Sequence, residues 1–214
     1  VQLNNGFGLA ECRQAVDMID ADGLCLHLNG LQEVFQNRGD CNYRGLIERI
    51  SDVSERLGVP VLVKEVGWGI SKEVAGSLAS VGVSAIDVAG SGGTSWYLVE
   101  QLVAGMSREE AIRSPFATWG IPTADSLIQV VERVGKLPVI ASGGIRNGVD
   151  AAKALALGAT AVGIALPLLK PAMESANAVA EKLEQIVFEL RTAMFCVGAA
   201  SIADLRHTPH LKQR

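Results

Sequence analysis

Four short stretches of the sequence gather polar groups where apolar runs come to an end. The first, His27-Leu28-Asn29-Gly30-Leu31-Gln32-Glu33, follows Leu24-Cys25-Leu26. Strand alternation puts the leucines on one face and Cys25, His27 and Asn29 on the other. If the leucines meet a layer of helices, His27 and Asn29 point to the opposite side, with Gln32 and Glu33 in the loop above. A loop carboxylate of this kind suits Mg²⁺ arriving with a diphosphate. The same residues also read as a hydrogen-bonded core histidine and a helix-starting glutamate.

The second stretch, Val61-Leu62-Val63-Lys64-Glu65-Val66-Gly67, interrupts an apolar strand with two adjacent opposite charges. Strand neighbours face opposite ways, so one of Lys64 and Glu65 must enter the strand-lined interior. An ammonium there suits an anionic ligand; a lysine snorkelling at a sheet edge is the plainer alternative. The third, Ile86-Asp87-Val88-Ala89-Gly90-Ser91-Gly92-Gly93-Thr94-Ser95-Trp96, fails the dinucleotide fingerprint because Ser95 stands where the third glycine belongs. Ser91 and Thr94 can still offer hydroxyls to a ligand, or Thr94 or Ser95 can simply cap a helix. The fourth is a pair of loops, Ser142-Gly143-Gly144-Ile145-Arg146 and Gly163-Ile164-Ala165-Leu166-Pro167. Loops after the last two strands of a parallel barrel commonly bind phosphate through backbone N–H groups. Arg146 faces either that phosphate or solvent.

The elements that must position these residues follow a βα rhythm. Strands are expected at Leu24–Asn29, Val61–Val66, Ala85–Ala89, Pro138–Ser142 and Ala161–Ala165, with Val1–Leu3 as the end of an earlier one. Helical spacing marks Ser71–Val81, Trp96–Val103, Thr123–Val134, Val149–Leu157 and Asn177–Phe195. On the last of these, Val179, Leu183, Ile186, Val187, Leu190 and Met194 share an apolar face. The gap between the third and fourth strands is double the others. It has room for two helices, and its loop Phe116–Pro122 is expected to fold over one end of the strands. Unequal glycine-rich and polar loops that all close strands point to one shared rim, hence to a (β/α)₈ TIM barrel rather than an open doubly wound sheet. Such a barrel takes about 250 residues, so about two units and the first strands are expected to precede Val1.

Composition removes other classes. With 214 residues, 49% of them hydrophobic, the chain can bury a substantial core. A net charge of −4 without a basic run argues against nucleic acid. No apolar run approaches the roughly 18 residues of a membrane span, and no secretion signal opens the chain. Cys12, Cys25, Cys41 and Cys196 form no CxxC pair, which fits a reducing, cytoplasmic setting.

Taken in order, HLNGLQE (27–33), VKEVGWGIS (63–71), IDVAGSGGTSW (86–96), WGIPT (119–123), ASGGIRNG (141–148) and TAMFCVGA (192–199) resemble the type 2 isopentenyl diphosphate isomerases, a flavin-dependent family. The likeness covers essentially the whole chain. Related flavin barrels share the phosphate loops but not the first motif. The resemblance implies that residues 1–214 are the larger, C-terminal part of a single FMN-binding (β/α)₈ barrel domain. It implies interconversion of isopentenyl and dimethylallyl diphosphate with reduced FMN, Mg²⁺, and NADPH as reductant of the flavin. The expected partners are a small-molecule diphosphate and further copies of the chain in a homo-oligomer, with neither nucleic acid nor membrane. By the same resemblance Gln32 and His27 are catalytic, His27, Asn29 and Gln32 bind substrate, and Glu33 holds the metal. Lys64, Thr94, Gly143, Gly144, Ile145, Arg146, Ala165 and Leu166 would bind FMN.

Two neighbouring enzyme classes fit less well. FMN-dependent 2-hydroxy acid oxidases need a His–Arg pair, and no histidine lies between His27 and His207. Nucleotide dehydrogenases of similar shape need a nucleophilic cysteine after a barrel strand, and none is suitably placed. A non-enzymatic ligand-binding fragment is the remaining alternative.

Overall fold

The structure is a computed structural model in which residues 2–211 are described. Helix α1 (Leu9–Ile19) leads into strand β1 (Leu24–His27), followed by α2 (Gly30–Phe35), α3 (Leu46–Arg56), β2 (Val61–Lys64), α4 (Lys72–Ser80) and β3 (Ala85–Asp87). After β3 come α5 (Trp96–Val103), α6 (Arg108–Ile112), α7 (Thr123–Val134), β4 (Val139–Ala141), α8 (Gly148–Ala156) and β5 (Ala161–Val162). The chain continues through α9 (Leu166–Glu174), α10 (Ala176–Cys196) and α11 (Ile202–Arg206). Among the described residues, no helix is long and apolar enough to cross a membrane.

All five strands are parallel and lie in the sheet in chain order. Right-handed crossovers that always step the same way put their helices on one face, whereas a doubly wound sheet reverses direction and covers both. This sheet never reverses, so it is a segment of a (β/α)₈ barrel wall. On the helix-covered face, Val61, Val63, Ile86, Val139 and Ala141 are buried against Ile50 and Val53 of α3, Leu78 of α4, Leu127 and Val130 of α7, and Ala151 of α8. The other face carries a row set by strand register: His27 beside Lys64, Lys64 beside Asp87, Asp87 beside Ile140, and Ile140 beside Ala161. That row forms the barrel's interior at the carboxyl ends of the strands.

Several expectations need correction. Regular strands end earlier than alternation predicts, because loop geometry takes over at the rim. Pairing nevertheless continues there: Leu28 N–H donates to the Lys64 carbonyl at 2.7 Å, Val88 N–H to Ile140 at 3.0 Å, and Gly90 N–H to Ser142 at 3.0 Å. The expected strand at Val1–Leu3 is a 3₁₀ turn over Gln2–Asn4, closed by Asn5 and Phe7 N–H groups on the Gln2 carbonyl; Val1 itself lies outside the described residues. The long β3–β4 connection holds a third helix, α6, capped by Ser107 and Glu110. The apolar face of α10 is only partly covered. Ile186 is buried, and Leu190 and Met194 pack against residues of α8 and α11, but Leu183 and Val187 stay exposed.

Candidate functional site

Glycine decides how closely the rim loops approach one another. The loop after β4 runs through Gly143 and Gly144, both at positive φ, against Gly90, Gly92 and Gly93 of the loop after β3. A Cβ on Gly143 would run into the Gly90 carbonyl, and one on Gly144 into that of Gly92. Arg146 fastens the two loops, donating to the Gly144 carbonyl at 2.9 Å and the Gly92 carbonyl at 2.8 Å, while Thr123 Oγ1 donates to the Gly143 carbonyl. The arginine therefore acts first as a staple of backbone to backbone, a role its sequence position leaves open.

The interlocked loops wall a cleft of about 360 Å³ whose lining includes Lys64, Asp87, Thr94, Ser142, Gly143 to Arg146, Ala165 and Leu166. All eight residues assigned to the cofactor from the sequence border this one cleft. Along its β4–β5 side, the N–H groups of Gly143, Gly144, Ile145, Ala165 and Leu166 have no acceptor among the described residues. Together with the start of α9, that is a donor set for an anion.

Toward β2 the cleft ends in the half-buried Lys64, whose Nζ donates to the Glu65 carbonyl at 2.6 Å. The charged neighbours resolve as alternation requires, with the ammonium in the interior row and the carboxylate elsewhere. Glu65 is buried, and its Oε2 accepts the N–H groups of Val66, Gly67 and Trp68 at 2.6, 2.8 and 2.7 Å. Burial pushes its carboxyl above the usual range, and those three donors pull it back. This carboxylate fixes the loop bordering Lys64. Sequence reasoning missed the role; the only signal was a charge between apolar residues that did not enter the interior. Asp87 was missed too. Its Oδ1 accepts from Ser142 Oγ at 2.7 Å and from the N–H of Ala89 at 3.1 Å, the latter in the left-handed region at φ 35°. Ser95 caps α5 through the Leu98 N–H, leaving Thr94 at the cleft.

The residues of the first motif stand on the same rim, at the carboxyl end of β1, but are bonded mainly to one another. Asn29 is buried, donates to Glu33 Oε1 at 2.9 Å and accepts from Tyr43 Oη at 3.3 Å. Burial pushes the Tyr43 phenol up to about 12, so it stays a donor. Glu33 Oε2 accepts the Asp40 N–H at 2.8 Å. Gln32 reaches toward α5, donating to Glu100 at 2.8 Å, and Gln36 joins it at 3.2 Å. His27, in register with Lys64, is held below the ordinary imidazole pKa by partial burial and by the Lys64 ammonium, against a smaller pull from Glu33. Tyr43 and Glu100 join these residues from outside any motif, Tyr43 from the loop between α2 and α3 and Glu100 from α5. Over this side lies an aromatic cluster of Phe35, Tyr97 and Phe116, with Phe116 also against Trp119. The expected folding of Phe116–Pro122 over the rim is realised by the bonds from Ile121 N–H to Trp68 and from Ser91 N–H to Ile121, both 2.8 Å.

Known proteins resemble this chain in sequence and in fold. The isopentenyl-diphosphate delta-isomerase of Stutzerimonas stutzeri is 51% identical over 205 residues, covering 96% of this chain and 59% of that protein. The enzyme of the same name from Nostoc sp. is 46% identical over 213 residues, covering 100% of this chain and 61% of that protein. The chain thus spans about three-fifths of the length of these relatives. Among solved structures, a putative lactate oxidase of Pediococcus acidilactici matches 96% of this chain and 58% of its own at a TM-score of 0.68 and 19% identity. GMP reductase of Trypanosoma brucei matches 94% and 42% at a TM-score of 0.63 and 21% identity. At those identities the likeness concerns the barrel alone. Residues 31–213 match the family described as FMN-dependent dehydrogenase, and the chain belongs to that family.

Proposed function

We propose that this chain carries the active centre of an isopentenyl-diphosphate delta-isomerase that works with reduced FMN and Mg²⁺. The observation that carries the reading is the register of His27 with Lys64. It joins the motif that other flavin barrels lack to the cationic end of the cleft.

The donor chemistry fits FMN. Unpaired amides at Gly143–Ile145 and Ala165–Leu166 suit its phosphate, and Lys64 suits negative charge on its reduced ring. Glu33 would hold Mg²⁺ through its single carboxylate, and the ion would neutralise charge on the diphosphate; no cluster of three metal-ligating side chains exists among the described residues. The reaction adds one proton to the terminal methylene carbon of the alkene and removes another from the carbon two bonds away, so electrons balance without net redox change. An unactivated alkene offers ordinary side chains little purchase, and a reduced flavin supplies that acid–base capacity when bound. The residues orient the reactants. Asn29 and Tyr43 aim the Glu33 carboxylate, the neutral His27 and the Gln32 amide border the substrate, and the aromatic cluster keeps water from the alkene.

Purified full-length protein supplied anaerobically with FMN, NADPH and Mg²⁺ is expected to convert isopentenyl to dimethylallyl diphosphate, many turnovers per reducing equivalent. Bound, reduced flavin without turnover overturns the reading. Lactate serves as the control and is expected to leave the oxidised flavin unreduced, since no histidine lies between His27 and His207.

A further inference from the structure

Asp87 is a carboxylate inside a cleft whose two ends are built for negative charge. At one end stand the amides of the β4 and β5 loops, at the other the Lys64 ammonium, and Asp87 projects from the strand between them. Lys64 and Asp87 are register neighbours on the same interior row, yet the only ion pair among the described residues is Arg56–Asp52. Lys64 instead donates to a backbone carbonyl. Both donors to Asp87, Ser142 Oγ and the Ala89 N–H, reach Oδ1, and Oδ2 has no donor among the described residues. A free carboxylate oxygen beside a ligand carrying roughly two phosphate charges is repulsive unless the ligand brings hydrogen-bond donors to it.

The order of groups along the sheet identifies those donors. Neighbouring strands are about 4.8 Å apart, so β2 to β5 spans roughly 14 Å, with the cation first, the carboxylate next and the amides last. A ligand laid along that order with its phosphate on the amides and its ring near Lys64 sets its middle against Asp87. In FMN that middle is the ribityl chain, a neutral run of hydroxyl donors. We propose that Asp87 is the ribityl-binding residue of the site, accepting a ribityl hydroxyl on Oδ2 while Ser142 and Ala89 hold Oδ1. This assignment rests on the FMN reading of the cleft and adds to it the residue that distinguishes a polyol chain from other linkers of similar length.

The test measures dissociation constants by flavin fluorescence quenching, using flavin-stripped protein with FMN and with analogues lacking the 2′, 3′ or 4′ hydroxyl one at a time. For the unaltered protein, one analogue is expected to bind about tenfold or more weakly than FMN, as for a lost hydrogen bond to a charged group. D87N is expected to bind FMN more weakly and to shrink that discrimination to about twofold, with an unchanged circular dichroism spectrum. All three analogues binding as tightly as FMN overturns the assignment, even if D87N fails to fold. So does a folded D87N that keeps the full discrimination. Failure of the unaltered protein to quench FMN at all defeats the cofactor reading itself and the assignment with it.

Discussion

The two halves of the rim are built on different principles. From β2 to β5 the cleft is made largely of backbone: glycines of two loops pressed together, an arginine holding carbonyl to carbonyl, and amides with no partner of their own. At the end of β1 the site is made of side chains already satisfied by each other, Tyr43 to Asn29, Asn29 to Glu33, Gln32 to Glu100. The first half is preorganised for its ligand. The second must exchange hydrogen bonds to take one, so its selectivity depends on what the incoming group offers in return. A cofactor that stays bound matches the first arrangement, and a substrate that comes and goes matches the second.

The sharpest way to break this contrast is the same substitution in both halves. Gly143→Ala puts a methyl group at φ 95° against the Gly90 carbonyl, inside the interlocked loops. It should destabilise the fold by roughly 3 kcal/mol and weaken FMN binding by about a hundredfold or more. Gly30→Ala, at the first position of α2, meets only the Tyr43 ring at 3.7 Å, an ordinary contact. There thermal unfolding should show a gain of about 0.5 kcal/mol with FMN affinity unchanged. Comparable losses at both glycines would mean that the β1 end is as tightly preset as the cleft.

The next largest effect separates metal from flavin. Glu33→Gln keeps an acceptor for the Asp40 N–H but removes the charge that would hold Mg²⁺. The substitution should lower kcat/KM by roughly a hundredfold, about 2.7 kcal/mol of transition-state stabilisation. It should also raise the Mg²⁺ concentration needed for half-maximal rate, with the FMN dissociation constant within twofold of the unaltered protein. Equal loss of flavin and metal would show that Glu33 supports the cleft rather than the substrate end.

The same contrast explains what could be read in advance. Glycine loops and strand ends are local features, and Gly143, Gly144, Thr94 and Lys64 were recognisable from neighbours within a few residues. Helices with a complete apolar stripe were equally legible, Trp96–Val103 and Thr123–Val134 to the residue. What escaped was non-local. Glu65 matters because three amides converge on it, Asp87 because Ser142 arrives from another strand, and Tyr43 and Glu100 because they meet Asn29 and Gln32 across loops. Short helices such as α6 and α9 escaped for a different reason. The five residues of α6 are too few for periodicity to show, and α9 carries a proline in its first turn and Pro171 inside it, which read as breaks.

The smallest expected effect concerns His27, where the two halves touch. Partial burial and the Lys64 ammonium both disfavour its protonated form, and Glu33 only partly opposes them. In the free protein, its imidazole resonances should therefore titrate below the ordinary value of about 6.5. The unfolded chain takes up this proton first as pH falls, so His27 contributes stability that is present above about pH 6.5 and is lost as the pH drops. Lys64→Met removes the cation and should move the midpoint upward, toward the ordinary value. Mg²⁺ with inorganic pyrophosphate should move it the same way if the diphosphate lies beside the imidazole, because an anion there favours the protonated ring. A midpoint above 6.5 in the free protein would mean that Glu33 outweighs Lys64 at this position. His27 would then belong electrostatically to the self-bonded β1 end, and the charge of the cleft would stop at β2.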